Sequence, residues 1–289
     1  MGFSISDSLT KLCALSLPLG EVLLIRGVAT SILFVGVMAA LRQLPSLNIA
    51  KSPKVLGRSF FEVSGTIFYI LAIRHTRIAD TAVIVLSSPI IITLVAIMIY
   101  HERIGWHRWG AIIFGMIGVI FIIKPDPGSF DNWTLLAVLA AFSSAARDLI
   151  TRNIEKGAST LAITLVAAIA VTFCGLFLSF GDGWISPSLP QVALLVCAGT
   201  CYGLGIYMNV LAFSGAVTVS VVSPFRYTML LWTILVAYLI FGELPDRYTI
   251  VGSILIIGSG LYVLHREMVH RRYLTAMGLL EQRQVIKND

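Results

Sequence analysis

Nine long apolar runs joined by short links leave this chain few ways to fold. They are Val22–Leu41, Phe60–Ile73, Ala79–Tyr100, Trp109–Ile123, Trp133–Ile150, Leu161–Ser179, Val192–Ala212, Val217–Phe241 and Tyr248–Leu264. A helix that crosses a bilayer needs about 20 mostly apolar residues. In hydrocarbon every backbone amide must find its partner inside the protein, which leaves helices or a closed barrel. The runs are continuous and do not alternate, so the barrel is excluded. The expected fold is all-α and integral to the membrane. Composition agrees: of 289 residues 57% are hydrophobic and 12% charged, where a soluble domain carries about a quarter charged.

The stretch Met1–Pro18 holds Asp7 and Lys11 and is too short to cross alone. It lacks the basic start and apolar core of a cleaved signal. It reads as the second half of a first helix whose beginning is absent, which brings the expectation to about ten transmembrane helices. The net charge of +6 is a topology signal, because basic residues gather on the cytoplasmic side. With the start inside, Arg42, Lys51, Lys54, Arg58, Arg103, Arg108, Arg152, Lys156, Arg266, Arg271 and Arg272 fall inside. Only Arg74, Arg77, Lys124 and Arg247 fall outside. Both termini are therefore expected in the cytoplasm, and no nucleic-acid footprint is present.

The chain also repeats itself at an offset of about 141 residues. Asp7-Ser-Leu-Thr-Lys11 returns as Asp148-Leu-Ile-Thr-Arg152, and the segment ending in Glu102 returns as the one ending in Glu243. Gly118-Val-Ile-Phe-Ile-Ile-Lys124 returns one residue out of step as Gly260-Leu-Tyr-Val-Leu-His-Arg266. Each half holds five spans, an odd number, so the second half enters the membrane from the opposite side. Inverted five-helix repeats of this kind belong to secondary transporters, with a site near the midplane. The expected organisation is a first repeat over 1–124, a linker and start of the sixth helix over 125–143, a second repeat over 144–266 and a cytoplasmic tail over 267–289.

These residues resemble the drug/metabolite transporter superfamily, in particular its ten-helix EamA-type members. The resemblance is carried by Ser88-Pro-Ile-Ile-Ile through Glu102-Arg103 with Gly115 and Gly118. In the second half it is carried by Ser223-Pro-Phe-Arg-Tyr227 through Phe241-Gly-Glu-Leu-Pro-Asp246, then Ser259-Gly-Leu-Tyr262. It spans the chain up to Arg266 and implies a carrier. Similar carriers move riboflavin, S-adenosylmethionine or amino acids, so the resemblance indicates no single cargo.

An ionisable group inside a membrane is a functional candidate by default. Arg226 stands mid-span two residues after Pro224, where a broken helix frees carbonyls. Arg226, Pro224, Tyr227, Trp232, Ser88 and Pro89 are the candidate substrate-binding residues. Asp7 and Lys11, and likewise Asp148 and Arg152, are opposite charges four apart on one helix face. Both pairs are expected near the inner ends of their spans, as gating or structural ion pairs, with Arg147 beside the second. Glu21 and Arg26 are expected near the outer end of theirs, again as gate or ion pair. Glu102 and Glu243 read as solvated helix ends with Arg103 and Arg247 close by. Gly199 and Gly203 suit close helix approach, and with Tyr202 and Tyr207 they are also placed to border a cavity. The four cysteines, Cys13, Cys174, Cys197 and Cys201, read as apolar filler.

No phosphate-binding loop or zinc-ligand cluster is present, and no cofactor or metal is expected. The function expected is secondary active transport of a small organic metabolite (amino acid, vitamin or nucleoside-like, a riboflavin-like compound among them) across a bacterial inner membrane. The alternatives are a membrane-embedded enzyme and a passive channel or scaffold subunit. The partners are the small-molecule substrate and the lipid bilayer, with no nucleic acid; a homodimer stays open.

Overall fold

The computed structural model describes residues 1–42, 52–100, 106–123, 132–152, 154, 159–215, 227–263, 265–266 and 269. The helices are α1 (Gly2–Ala14), α2 (Leu19–Ala40), α3 (Pro53–His75), α4 (Ile78–Val85), α5 (Ser88–Tyr100), α6 (Trp106–Ile123), α7 (Asn132–Arg152), α8 (Thr160–Asp182), α9 (Leu189–Gly215) and α10 (Thr228–Phe241), followed by α11 (Arg247–Val263). Among the described residues there is no strand. Helices α2, α3, α7, α8 and α9 are long and apolar enough to cross a membrane by themselves.

The third apolar run, Ala79–Tyr100, is broken into α4 and α5 at Leu86-Ser87, and the cause is Pro89. Its missing N–H would have bonded the carbonyl of Val85. The Ser88 hydroxyl donates to that carbonyl instead, and Ser87 Oγ donates to Ile84 O at 2.6 Å. Together α4 and α5 make one span. At the end of α10, Gly242 takes the left-handed conformation with φ 66°. Asp246 then starts α11 by accepting the Thr249 N–H at 2.9 Å, an N-cap arrangement.

The packing obeys the repeat. Exchanging the halves maps α1 to α7, α2 to α8, α3 to α9, α4/α5 to α10 and α6 to α11. Under that exchange the pairing of α1 with α9 becomes that of α7 with α3, and both are present. So are α2 with α9 and its image α8 with α3, and α1 with α10 and its image α7 with α4 and α5. Helices α2 and α8 pack on each other across the pseudo-two-fold axis. Close approach there needs glycine: a Cβ on Gly175 would stand 2.5 Å from Leu24 N, and one on Gly20 2.5 Å from Ser179 N. The two halves are thus interleaved, their most extensive helix contacts drawing on both.

Large apolar side chains cover the outside while charged and hydroxyl groups join the apolar core within. Phe177, Phe180, Leu239 and Ile254 lie on the exposed surface, while Ser4, Thr10, Glu21, Arg26, Arg58 and Glu62 are buried. That is the distribution hydrocarbon demands, since lipid solvates phenylalanine and polar groups must find partners within the bundle. The all-α membrane fold of two inverted five-helix repeats expected from the sequence is the fold observed.

Candidate functional site

Polar side chains from both halves converge in the middle of the bundle. Glu62, on α3, is buried and accepts from four directions. Arg58, one turn earlier, approaches at 3.4 Å, and Arg147 on α7 also at 3.4 Å. The Tyr202 hydroxyl on α9 donates to Glu62 Oε1 at 2.8 Å. The carbonyl of Glu62 accepts from Thr66 at 2.7 Å. Arg147 also pairs with its neighbour Asp148 at 3.0 Å, and Arg58 Nε donates to Thr151 Oγ1 at 3.1 Å.

A second strand of the network runs through the first half. The Tyr69 hydroxyl donates to Asp7 Oδ2 at 2.8 Å. Arg26 lies over the Tyr202 ring, 4.4 Å from its centroid, and donates to Thr10 Oγ1 at 3.4 Å. Tyr202 therefore touches an arginine with its face and a glutamate with its hydroxyl. Arg26, Glu62 and Tyr202 line a narrow cavity with Thr30, Thr66 and Thr164 and the apolar side chains of α8 and α9. Two helices of each half supply its walls: α2 and α3, α8 and α9.

One end of the bundle is tied shut around Lys11. Lys11 Nζ donates to Glu243 Oε1 at 2.6 Å and to Thr76 O at 2.8 Å, and sits over the Phe241 ring. Glu243 accepts the Ile78 N–H with its other oxygen. Outside this pair Arg77 meets Asp246 at 3.5 Å, and Thr249 donates to Asp80 at 2.6 Å.

Several expectations are corrected by this geometry. Asp7 and Lys11 share a face, yet they bond to different partners, Tyr69 on α3 and Glu243 in the turn after α10. Lys11 is not at the same end as Asp148: it lies with Thr76 and Glu243, while Asp148 lies at the Arg58 end. That opposition is what inversion requires of equivalent positions. Glu243 is no solvated helix end, and it pairs with Lys11 and not with Arg247. Glu21 and Arg26 do not meet: Glu21 is fully buried and accepts the Ile185 N–H, while Arg26 points inward to Tyr202. Close approach at Gly199 is present, where a Cβ would stand 2.6 Å from Arg26 O.

Of the six residues expected to bind substrate, four lie among the described residues. Arg226 and Pro224 lie outside the described residues, as does the side chain of Arg152. Tyr227 is buried, its ring against Gly260 of α11. Trp232 is partly exposed on α10. Ser88 is spent on the helix break, and neither it nor Pro89 lines the cavity beside Arg26. The sequence reading passed over Glu62 and Tyr69. Glu62 had a signal, being a carboxylate four residues from Arg58 inside an apolar span; Tyr69 had none.

The model of the EamA-like transporter family matches residues 1–124 and again 131–264. The chain is 31% identical to an S-adenosylmethionine uptake transporter of Rickettsia bellii over 66% of its own length and 65% of that protein. It thus spans a little under two thirds of the length of that relative. It is 28% identical to a riboflavin transporter of Rhizobium johnstonii over 75% of this chain and 72% of that one. A pseudopaline exporter of Pseudomonas aeruginosa is 24% identical over 88% and 89% of the two chains. A solved crystal structure superposes with a TM-score of 0.63 at 14% identity, covering 94% of this chain and 96% of the other, which shows the fold. Two family matches, one per half, on a bundle whose packing survives exchange of the halves, place this chain in the EamA-like transporter family.

Proposed function

We propose that the protein is a secondary active carrier for a small organic metabolite and works by alternating access. The observation that supports this most is the charge cluster between the halves. Asp7, Glu62 and Asp148 face Arg26, Arg58 and Arg147, drawn from α1, α2, α3 and α7, beside a cavity that both halves wall. Charges held between two interleaved halves are costly unless used. They can be shared differently when the halves rock.

Lys11–Glu243 serves as the gate of one end. The repeat carries the same residue types at Arg152 and Glu102, positions that inversion assigns to the other end. We take that second pair as the counterpart gate, formed when the first is broken. Arg226 remains a candidate contact to cargo on the strength of its mid-span position. In the cell both termini face the cytoplasm of a bacterium, by the distribution of Lys and Arg. The cargo belongs to the amino acid, vitamin or nucleoside-like compounds, in line with relatives named for S-adenosylmethionine, riboflavin and pseudopaline.

Counterflow in proteoliposomes tests the reading. Vesicles preloaded with unlabelled cargo should transiently concentrate labelled cargo above equilibrium, across a panel holding these three compounds, the common amino acids and nucleosides. Flux that only equilibrates would make the protein a channel, and no flux across the panel would remove the carrier.

A further inference from the structure

We infer that Arg26 is the residue that recognises cargo, and that the cargo carries a carboxylate with N–H donors beside it. This rests on the carrier reading above and adds the chemistry of its site. The other basic side chains buried in the bundle meet a carboxylate directly. Arg58 and Arg147 share Glu62, Asp148 takes Arg147 and Lys11 takes Glu243. Arg26 is the exception: it is buried, among the described residues no carboxylate comes within ion-pairing distance of it, and its counter-charge is Asp7 at longer range, a carboxylate bonded to Tyr69. A guanidinium offers five N–H donors. Arg26 spends one on Thr10, at a long 3.4 Å, and rests its face on Tyr202. A guanidinium in an apolar span with donors left to spend is completed by an acceptor that joins it. The planar fork fits a carboxylate best.

The rest of the cavity wall is made of acceptors. Thr30 donates to a helix carbonyl, Arg26 O or Gly199 O, at 2.9 Å. Thr66 donates to Glu62 O at 2.7 Å and Thr164 to Thr160 O at 2.8 Å. Each hydroxyl has one proton, and each is committed to the backbone. What these threonines present to the cavity they line is lone pairs. Glu62 cannot take the place of the cargo's anion or serve as a free base for its amine, being held by two arginines and Tyr202. One fork with N–H donors to spend, opposite several hydroxyl acceptors, complements a carboxylate next to an ammonium or amide N–H. It does not complement a neutral ring system lacking a carboxylate.

The test is counterflow by the full chain in proteoliposomes with radiolabelled S-adenosylmethionine, its decarboxylated analogue, riboflavin and the free amino acids with their methyl esters. One or more free carboxylates should exchange, and removing or esterifying that carboxylate should weaken competition by about 10- to 100-fold, the range of a charge-assisted hydrogen bond. Arg26→Lys should keep part of the exchange and Arg26→Gln should lose it by a similar factor. Exchange of riboflavin, or of the decarboxylated or esterified compounds, as readily as of the acids overturns the role of Arg26 and leaves the carrier standing. No exchange of any compound removes the carrier itself. Should Arg26→Gln fail to fold, the comparison of acid with ester on the unaltered protein decides alone.

Discussion

Glu62 holds two arginines in place, so removing its charge is the most damaging single change available at the cluster. Glu62→Gln leaves Arg58 without its counter-charge and Arg147 with Asp148 alone. Breaking a buried pair in this way costs about 3–5 kcal/mol, and the purified protein should melt well below the parent in detergent. Glu62→Gln combined with Arg147→Gln should regain part of that loss, because the pair is then removed together and the residual coupling is measured by a double-mutant cycle. A double variant no more stable than Glu62→Gln alone would show that Arg147 is paid for by Asp148. Tyr202→Phe removes only the hydroxyl bond to Glu62 and keeps the ring beneath Arg26. It should cost about 1 kcal/mol in stability, a small shift beside that of Glu62→Gln.

Helix pairs carry the next predictions. Gly175→Ala puts a methyl 2.5 Å from Leu24 N, against backbone that cannot yield unless α2 and α8 separate. Overpacking of this kind costs about 1–3 kcal/mol, and the variant should elute from size exclusion with a reduced monodisperse peak. Gly181→Ala, on the same helix with nothing within 4 Å, should behave as the parent. Equal behaviour of the two would remove the close contact of α2 with α8. The Lys11–Glu243 ion pair joins α1 to the turn after α10. With the native cysteines replaced, Lys11→Cys with Glu243→Cys should cross-link under oxidation and stop counterflow, and reduction should restore it. Undiminished counterflow in the cross-linked protein would show that this end does not open. Arg152→Cys with Glu102→Cys should arrest the cycle in the same way.

At the scale of the whole molecule the inverted repeat makes a prediction about sides. Reporters placed after Lys54 and after Arg272 should read cytoplasmic, and one within residues 181–188 should read periplasmic. Finding the first and last on one side would contradict the inversion. Much of this architecture is legible in the chain itself. The apolar runs dictate helices, because hydrocarbon offers the backbone no other partner. The odd number of spans per repeat dictates inversion, and Pro89 dictates the break between α4 and α5. These are properties of local sequence and of counting. Partnership is different. Asp7 stands four residues from Lys11, yet bonds to a tyrosine 62 positions away, and Lys11 bonds to a glutamate 232 positions away. Spacing along one helix says which side chains share a face, but the neighbour they meet depends on which helices pack there. Tertiary structure alone decided that Tyr202 lies between Arg26 and Glu62, and that Arg26, among the described residues, has no carboxylate within ion-pairing distance.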